Sequence, residues 1–279
     1  MFTRRRPETL GLLALASFGA SAADRQSLDD AWWTGPILAA GAATLPQGRV
    51  LVEPYVFDVI RTGRFDREGE RQSASRTHSY RSLTYLLYGV TDKLTVGLIP
   101  VFGFNEAGDR SSAVQPGDLT VQAQYRLSQF REGGWLPTTS VVVQQSLPIG
   151  GSALSTGAYT TTIALRSQYY LWMPSGRIMR TRFHVSYAAA DEVAAAGDVM
   201  TINSSWEYSI TRNWVFALDF VYQHDDDTDS GSAWRAGIAP AIEYNWSGSV
   251  GVIVGARSFV AGRNTNATLT PMVAINVLF

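Results

Sequence analysis

From about Arg49 onward, apolar and polar residues alternate one by one along the chain. The segment from Asp118 to Ser128 shows this most plainly. Leu119, Val121, Ala123, Tyr125 and Leu127 fall on one face, and Asp118, Thr120, Gln122, Gln124 and Arg126 on the other. The same division recurs from Met200 to Ile210, with Ser204 the polar exception, and from Trp214 to Tyr222. Successive side chains of a strand point to opposite faces, so a period of two predicts β-strands, each with one apolar and one polar face. Twelve such segments are expected, near 49–61, 77–90, 94–105, 117–128, 137–148, 157–171, 178–188, 199–210, 214–224, 233–245, 249–260 and 267–279. Pro100, Pro240 and Pro271 fall on apolar faces within them, where a proline interrupts a ladder unless it lies at a strand end or bulge.

The connections sort by length. Thr91-Asp92-Lys93, Thr211-Arg212-Asn213 and Trp246-Ser247-Gly248 read as tight turns, and 129–136 and 172–177 are moderately short. Between them fall polar or small-residue loops at 62–76, 106–116, 149–156, 189–198, 225–232 and 261–266, so that six long connections alternate with five short ones. A soluble sandwich has no reason to sort its loops this way. A transmembrane antiparallel β-barrel does, because it has short periplasmic turns and longer outer loops. The expected fold class is therefore all-β, a barrel of about 12 strands over 49–279 with both termini periplasmic. Aromatic residues follow the same order. Trp135, Trp172, Trp206, Tyr208, Trp214 and Trp246 cluster at the short-turn ends, and Phe102, Phe104, Tyr159, Tyr187, Tyr222 and Trp234 near the long-loop ends. Two such bands match the interfacial girdles of a membrane barrel.

The two ends agree with that reading. Arg4, Arg5 and Arg6, the apolar run Leu10 to Phe18 and the small residues Ala20-Ser21-Ala22 form the pattern of an export signal over 1–22. The apolar run falls short of the roughly 20 residues that span a bilayer. No cysteine follows it, which excludes a lipoprotein, and without cysteines no disulfide staples the fold. Removing Arg4, Arg5, Arg6 and Glu8 takes the 23 basic and 24 acidic side chains to 20 and 23, a net charge near −3 that argues against nucleic acid as a partner. The last segment alternates through Val273, Ile275 and Val277 into a C-terminal Phe279. It resembles the signal by which the barrel assembly machinery binds its clients, and an exposed final strand suits recognition by strand addition.

Several pieces resemble the outer-membrane family described as transporters of the meta-pathway of phenol degradation. They are Asp30-Ala31-Trp32-Trp33-Thr34-Gly35-Pro36, Thr44-Leu45-Pro46-Gln47-Gly48, Val52-Glu53-Pro54-Tyr55-Val56-Phe57, Tyr88-Gly89-Val90-Thr91-Asp92-Lys93-Leu94 and Gly117-Asp118-Leu119-Thr120. The resemblance covers most of the chain after the signal and implies passive uptake of small aromatic or hydrophobic solutes. Its motifs record barrel geometry more than cargo.

Twelve strands close at a backbone radius of about 12 Å, narrow enough for long inward side chains to fill much of the width. The alternation points Asp118, Arg126, Arg166, Arg180, Arg182, Glu207, Asp219, Arg235, Glu243 and Arg257 inward, with Gly97, Gly237, Gly251 and Gly255 beside them. Two readings stand for the charged set: a selective constriction for a small solute, or a salt-bridged network that fills and stiffens a closed structural barrel. Segment 23–48 lacks a strand pattern and reads either as a partial plug or as a plain lead-in at the periplasmic rim. The acidic loop Asp225-Asp226-Asp227-Thr228-Asp229 lacks the spacing of a calcium loop and reads as a solvated tip.

The enzymatic alternative is an outer-membrane lipid hydrolase using His184 and Ser186, two positions apart on one strand face. The same register turns both toward the lumen, away from lipid, and Tyr187-Ala188-Ala189 is not the continuation expected of such phospholipases. The chain reads as a non-enzyme that needs no cofactor. Its expected partners are outer-membrane lipids and lipopolysaccharide, the assembly machinery and a small-molecule solute.

Overall fold

The computed structural model describes residues 25–35, 37–191, 197–226 and 231–279. The export signal over 1–22, Pro36 of the leading segment and Asp227 to Asp229 of the acidic loop lie outside the described residues.

The alternating segments form twelve strands. β1 is Val50–Asp58, continuing past Val59 as Ile60–Phe65; β2 is His78–Thr91; β3 is Leu94–Ile99, continuing past Pro100 as Val101–Ala107. β4 is Leu119–Ser128, β5 Thr138–Leu147, β6 Thr160–Trp172, β7 Ile178–Ala190 and β8 Val199–Ser209. β9 is Trp214–Asp225, β10 Ala233–Ser247, β11 Val250–Arg263 and β12 Thr265–Leu278. Each pairs antiparallel with its sequence neighbours. β12 returns to β1, with Leu51 opposite Leu278, Tyr55 opposite Ala274 and Phe57 opposite Met272. At the seam Phe279 N–H donates to the Val50 carbonyl at 2.9 Å. The sheet is thus a closed antiparallel barrel, the form that leaves no strand edge unsatisfied in lipid.

The prolines sit where the ladder yields. Pro100 divides β3. Pro240 keeps Leu218 of β9 as its partner, while the β10–β11 ladder breaks between Ile238–Ser258 and Ala241–Gly255. Pro271 lies opposite Ala256 of β11 and faces the gap between the two halves of β1 on its other side.

One expected loop is absent. Residues 261–266, read from sequence as a long connection, belong mostly to strands, and Asn264 alone separates β11 from β12. Asn264 turns the chain at φ 53°, a left-handed conformation that asparagine tolerates better than most residues. Beyond the Ser258–Leu269 pair the two arms part, the β11 arm pairing with β10 and the β12 arm with β1. Small and polar residues resembled a loop, yet here they extend two strands to a tight tip.

The outward face is an apolar band. Ile163, Phe183 and Val254 are 60%, 46% and 50% exposed, among many aliphatic and aromatic neighbours of similar exposure. A soluble protein would not leave such a continuous apolar surface open to water. Trp206, Trp214, Trp246, Phe102, Tyr159 and Tyr187 are exposed on the same face near its two ends. Trp172 departs from the expected girdle. It sits at the inner rim, where its indole N–H donates to the Gln26 carbonyl at 2.8 Å and Arg25 lies 4.0 Å above its ring.

Candidate functional site

The inside of the barrel is occupied by the chain's own leading segment. The described residues of this segment enter at the short-turn end, where Gln26 bonds Gly176, reach Asp219 with Ile37 and Leu38, and return to the same end, where Gly48 bonds Gly89 before β1 begins. Ser27 caps a single 3-10 turn, Leu28–Asp30, at the start, and the described residues from there to β1 form neither helix nor strand. A chain without ladder or helix must find partners for its backbone elsewhere, because buried unpaired amides and carbonyls are costly.

The wall supplies them from side chains. Gln26 takes a hydrogen bond from Ile178 N–H and donates to Ser209. Thr34 N–H donates to Glu243 at 2.9 Å, and Asn245 donates to the Trp32 carbonyl. Asp219 accepts from both Ile37 N–H and Leu38 N–H, at 3.0 and 3.2 Å. Asn203 donates to the Leu38 carbonyl, Arg182 to Ala39, and Gln124 to both Gly41 and Ala43. On the return, Leu45 N–H donates to Thr95 and Thr44 to the Asp92 carbonyl. The polar inner face is therefore in large part a set of backbone partners.

Shape obeys the same logic. Ile37 packs in a cluster with Ile253 and with Ala217, Ala239, Ala241 and Ala274, the four alanines being small enough to leave it room. A Cβ on Gly251 would come within 2.2 Å of the Thr34 hydroxyl, and one on Gly255 within 2.3 Å of Ile37. Those two glycines of β11 make space for the segment.

Beside it lies the charged cluster. Arg180 and Arg182 share one face of β7, and β8 sets Glu207 directly opposite Arg180. Glu207 is fully buried and accepts from Arg180 Nε at 2.6 Å and from a terminal nitrogen at 2.5 Å. Arg182 Nε lies 3.2 Å from the same carboxylate, an ion-pair contact without hydrogen-bond geometry. Trp33 of the leading segment stacks 4.4 Å below the Arg180 guanidinium. One carboxylate thus holds two guanidiniums while Asp219 and Glu243 serve the segment's backbone. Arg166 and Arg257 have no ion-pair partner among the described residues.

The ten residues singled out from alternation do not form one group. Arg166, Arg180, Arg182, Glu207, Asp219 and Glu243 are all buried inside the barrel. Arg235 and Arg257 sit nearer the long-loop end, both against the Phe259 ring at 4.7 and 5.0 Å, with Arg235 also donating to Gln223. Two residues lie apart from the cluster. Asp118 sits at the long-loop mouth, where it accepts from Gly150 N–H, Thr156 N–H and the Thr156 hydroxyl and pins loop 148–159. Partial burial works against its charge, yet the Ser155 side chain together with those bonds holds its carboxyl below the usual range. Arg126 stands at the opposite rim, in a surface pocket with Lys93 and Trp135. Both are strand-end residues, where alternation still gives a face but no longer a depth. Phe279 is exposed at the short-turn end.

A cavity of about 430 Å³ remains between the segment and the wall. Tyr55, Phe57, Leu83 and Tyr85 line it from β1 and β2, and Gln122, Gln124, Arg166 and Gln168 from β4 and β6. Sequence reading missed Glu53, Tyr55 and Tyr85 as lumen residues. The inner face of β1 carries Leu51, Glu53, Tyr55 and Phe57 and its outer face Val52 and Val56, so apart from Glu53 the strand is apolar on both sides and its alternation is faint. His184 and Ser186 lie on β7 with Arg180 and Arg182, and His184 is directly opposite Arg166. No group of three metal-ligating side chains occurs among the described residues.

No protein-family model matches the chain, and no curated protein matches it. Among solved structures, an outer-membrane channel from Pseudomonas putida F1 superposes with a TM-score of 0.69, covering 88% of this chain and 100% of that one at 14% identity. The KdgM porin superposes with a TM-score of 0.49 at 9% identity, covering 81% and 98% of the two chains. At 14% identity the likeness to the first of these is one of fold. The closed barrel and its apolar outer band place the chain in the bacterial outer membrane.

Proposed function

We propose that this barrel is an outer-membrane channel for passive uptake of small aromatic or hydrophobic solutes, narrowed by its own leading segment. The observation that carries this reading is the cavity of about 430 Å³ held open between that segment and the wall. A network meant only to fill the barrel has no need of it. The cavity lining combines aromatic and polar residues, the composition of a small-molecule pocket, and its size falls within the 300–1,000 Å³ typical of such sites. The sequence resemblance to the meta-pathway transporters supports the same solute class. His184 and Ser186 face the lumen with the buried arginines, away from membrane lipid, which weighs against the hydrolase.

Reconstitution in planar bilayers tests the proposal. The intact chain should give small discrete openings that phenolic and other aromatic solutes block at concentrations where sugars of similar size do not. A bilayer that stays silent across the whole panel would favour the closed structural barrel instead.

A further inference from the structure

We infer that the lumen cavity is a binding site for a small amphipathic organic monoanion. Its carboxylate would engage the guanidinium of Arg166, and its apolar body would lie against Tyr55, Phe57, Leu83 and Tyr85. The inference rests on the channel reading and names the solute class within it.

Charge on the cavity lining is lopsided. Arg166, Arg180, Arg182 and Arg257 face it, against the single carboxylate Glu53. Glu207, behind the lining, holds Arg180 and Arg182. Arg182 is engaged further by the Ala39 carbonyl at 3.3 Å. Arg166 is different. It is 5% exposed, and its one hydrogen bond among the described residues runs from a terminal nitrogen to the Gln124 side-chain oxygen at 2.7 Å. Among the described residues its Nε has no partner and no carboxylate lies within ion-pairing distance. Its cross-strand neighbours are Ser140 and His184, neither of which brings negative charge. Nε of Arg257 is likewise without a partner.

A buried guanidinium with unmade bonds is unfavourable unless an anion completes it. The fork of an arginine matches a carboxylate in two parallel hydrogen bonds, so a carboxylate is the group the geometry fits. The aromatic part of the lining makes a bare inorganic ion a poorer occupant. Tyr55 and Tyr85 meet edge to face at 5.9 Å, and with Phe57 and Leu83 they present an apolar surface that an inorganic anion would leave unfilled. Glu53 sets the limit on charge. It accepts from Tyr55 at 3.3 Å and from Asn276 at 3.5 Å, and a carboxylate in the same cavity disfavours a second negative charge on the ligand.

Benzoate, with benzyl alcohol as its uncharged counterpart, tests the site by calorimetry on the full chain in detergent. Benzoate should bind saturably and at least about ten-fold tighter than benzyl alcohol, the factor expected from one charge-assisted pair. Arg166→Gln should erase that preference and leave benzyl alcohol binding nearly unchanged; Arg166→Lys should restore part of it. Phthalate should bind more weakly than benzoate. Equal binding of benzoate and benzyl alcohol by the unaltered chain would overturn the proposal, even if Arg166→Gln failed to fold. So would unchanged benzoate preference in folded Arg166→Gln. The outcomes separate from those of the channel reading: benzoate binding in a barrel that never conducts would sink the channel and leave the site. Conductance without preference for benzoate would do the reverse.

Discussion

A chain lacking residues 26–44 should fold into the same barrel and conduct several times more current per channel than the intact protein. Around Ile37 the wall is built largely of small residues: Ala217, Ala239, Ala241 and Ala274 are buried against it, and Gly251 and Gly255 have no side chain at all. Those residues do not fill the lumen on their own, and a backbone ladder closed through β12 and β1 does not collapse inward. Removing the segment therefore leaves a water-filled passage on the β9–β12 side. The hydrogen bonds lost include those that Asp219 and Glu243 accept from the segment's backbone amides and those that Asn203 and Gln124 donate to its carbonyls, and water can then solvate these side chains. Single-channel recordings of the two chains at equal salt measure the ratio. Equal conductance would mean that the arginine cluster itself sets the constriction, as in the closed-barrel reading.

The second large effect concerns stability. Glu207→Ala should lower the unfolding free energy by about 3–5 kcal/mol, the range for breaking a buried ion pair by removing one partner. The cost does not measure how much the pair stabilises the fold, since two well-packed apolar residues could do as well. It arises because Arg180, bound through two nitrogens, and Arg182 would both remain buried without their carboxylate. Glu207→Gln, which keeps the shape and one acceptor oxygen, should cost less. Urea unfolding of the reconstituted barrel, followed by the shift between folded and unfolded gel mobility, gives the difference. A change below about 1 kcal/mol in Glu207→Ala would show that water or rearranged side chains replace the carboxylate freely.

Much of the fold could be read from period two and connection length. Twelve alternating segments, an apolar face wide enough for lipid and a terminal strand ending at Phe279 are all matters of local pattern. Asn264 marks the limit of that reading. A tight left-handed turn and a long loop share the same small polar residues, and only the pairing of the flanking arms with β10 and β1 distinguishes them. In the lumen, alternation gives a face but neither depth nor partner. It puts Arg180 and Glu207 on inner faces, while their pairing depends on a register between strands that spacing does not reveal. It also fails to separate Asp118 and Arg126, at opposite mouths, from the buried set.

The leading segment was the least legible part, for a physical reason. Its contacts run from backbone amides and carbonyls to wall side chains, and the backbone carries no sequence signature. What the sequence does carry is the run Ala39-Ala40-Gly41-Ala42-Ala43, too small to build a core of its own and suited to a narrow space. The wall carries the complement in Gln124, Asn203, Asp219 and Glu243, polar groups that read as a charged network until their backbone partners are known.

The seating of this segment inside the barrel is the claim on which the account depends, and thiol labelling tests it directly because the chain has no native cysteine. Ala39→Cys, at a fully buried position in the lumen, should react with a bulky membrane-impermeant maleimide at least about ten-fold more slowly than Gln47→Cys, which is exposed at the rim. Equal rates at the two positions in the folded barrel would mean that the segment lies outside the lumen and would contradict the account.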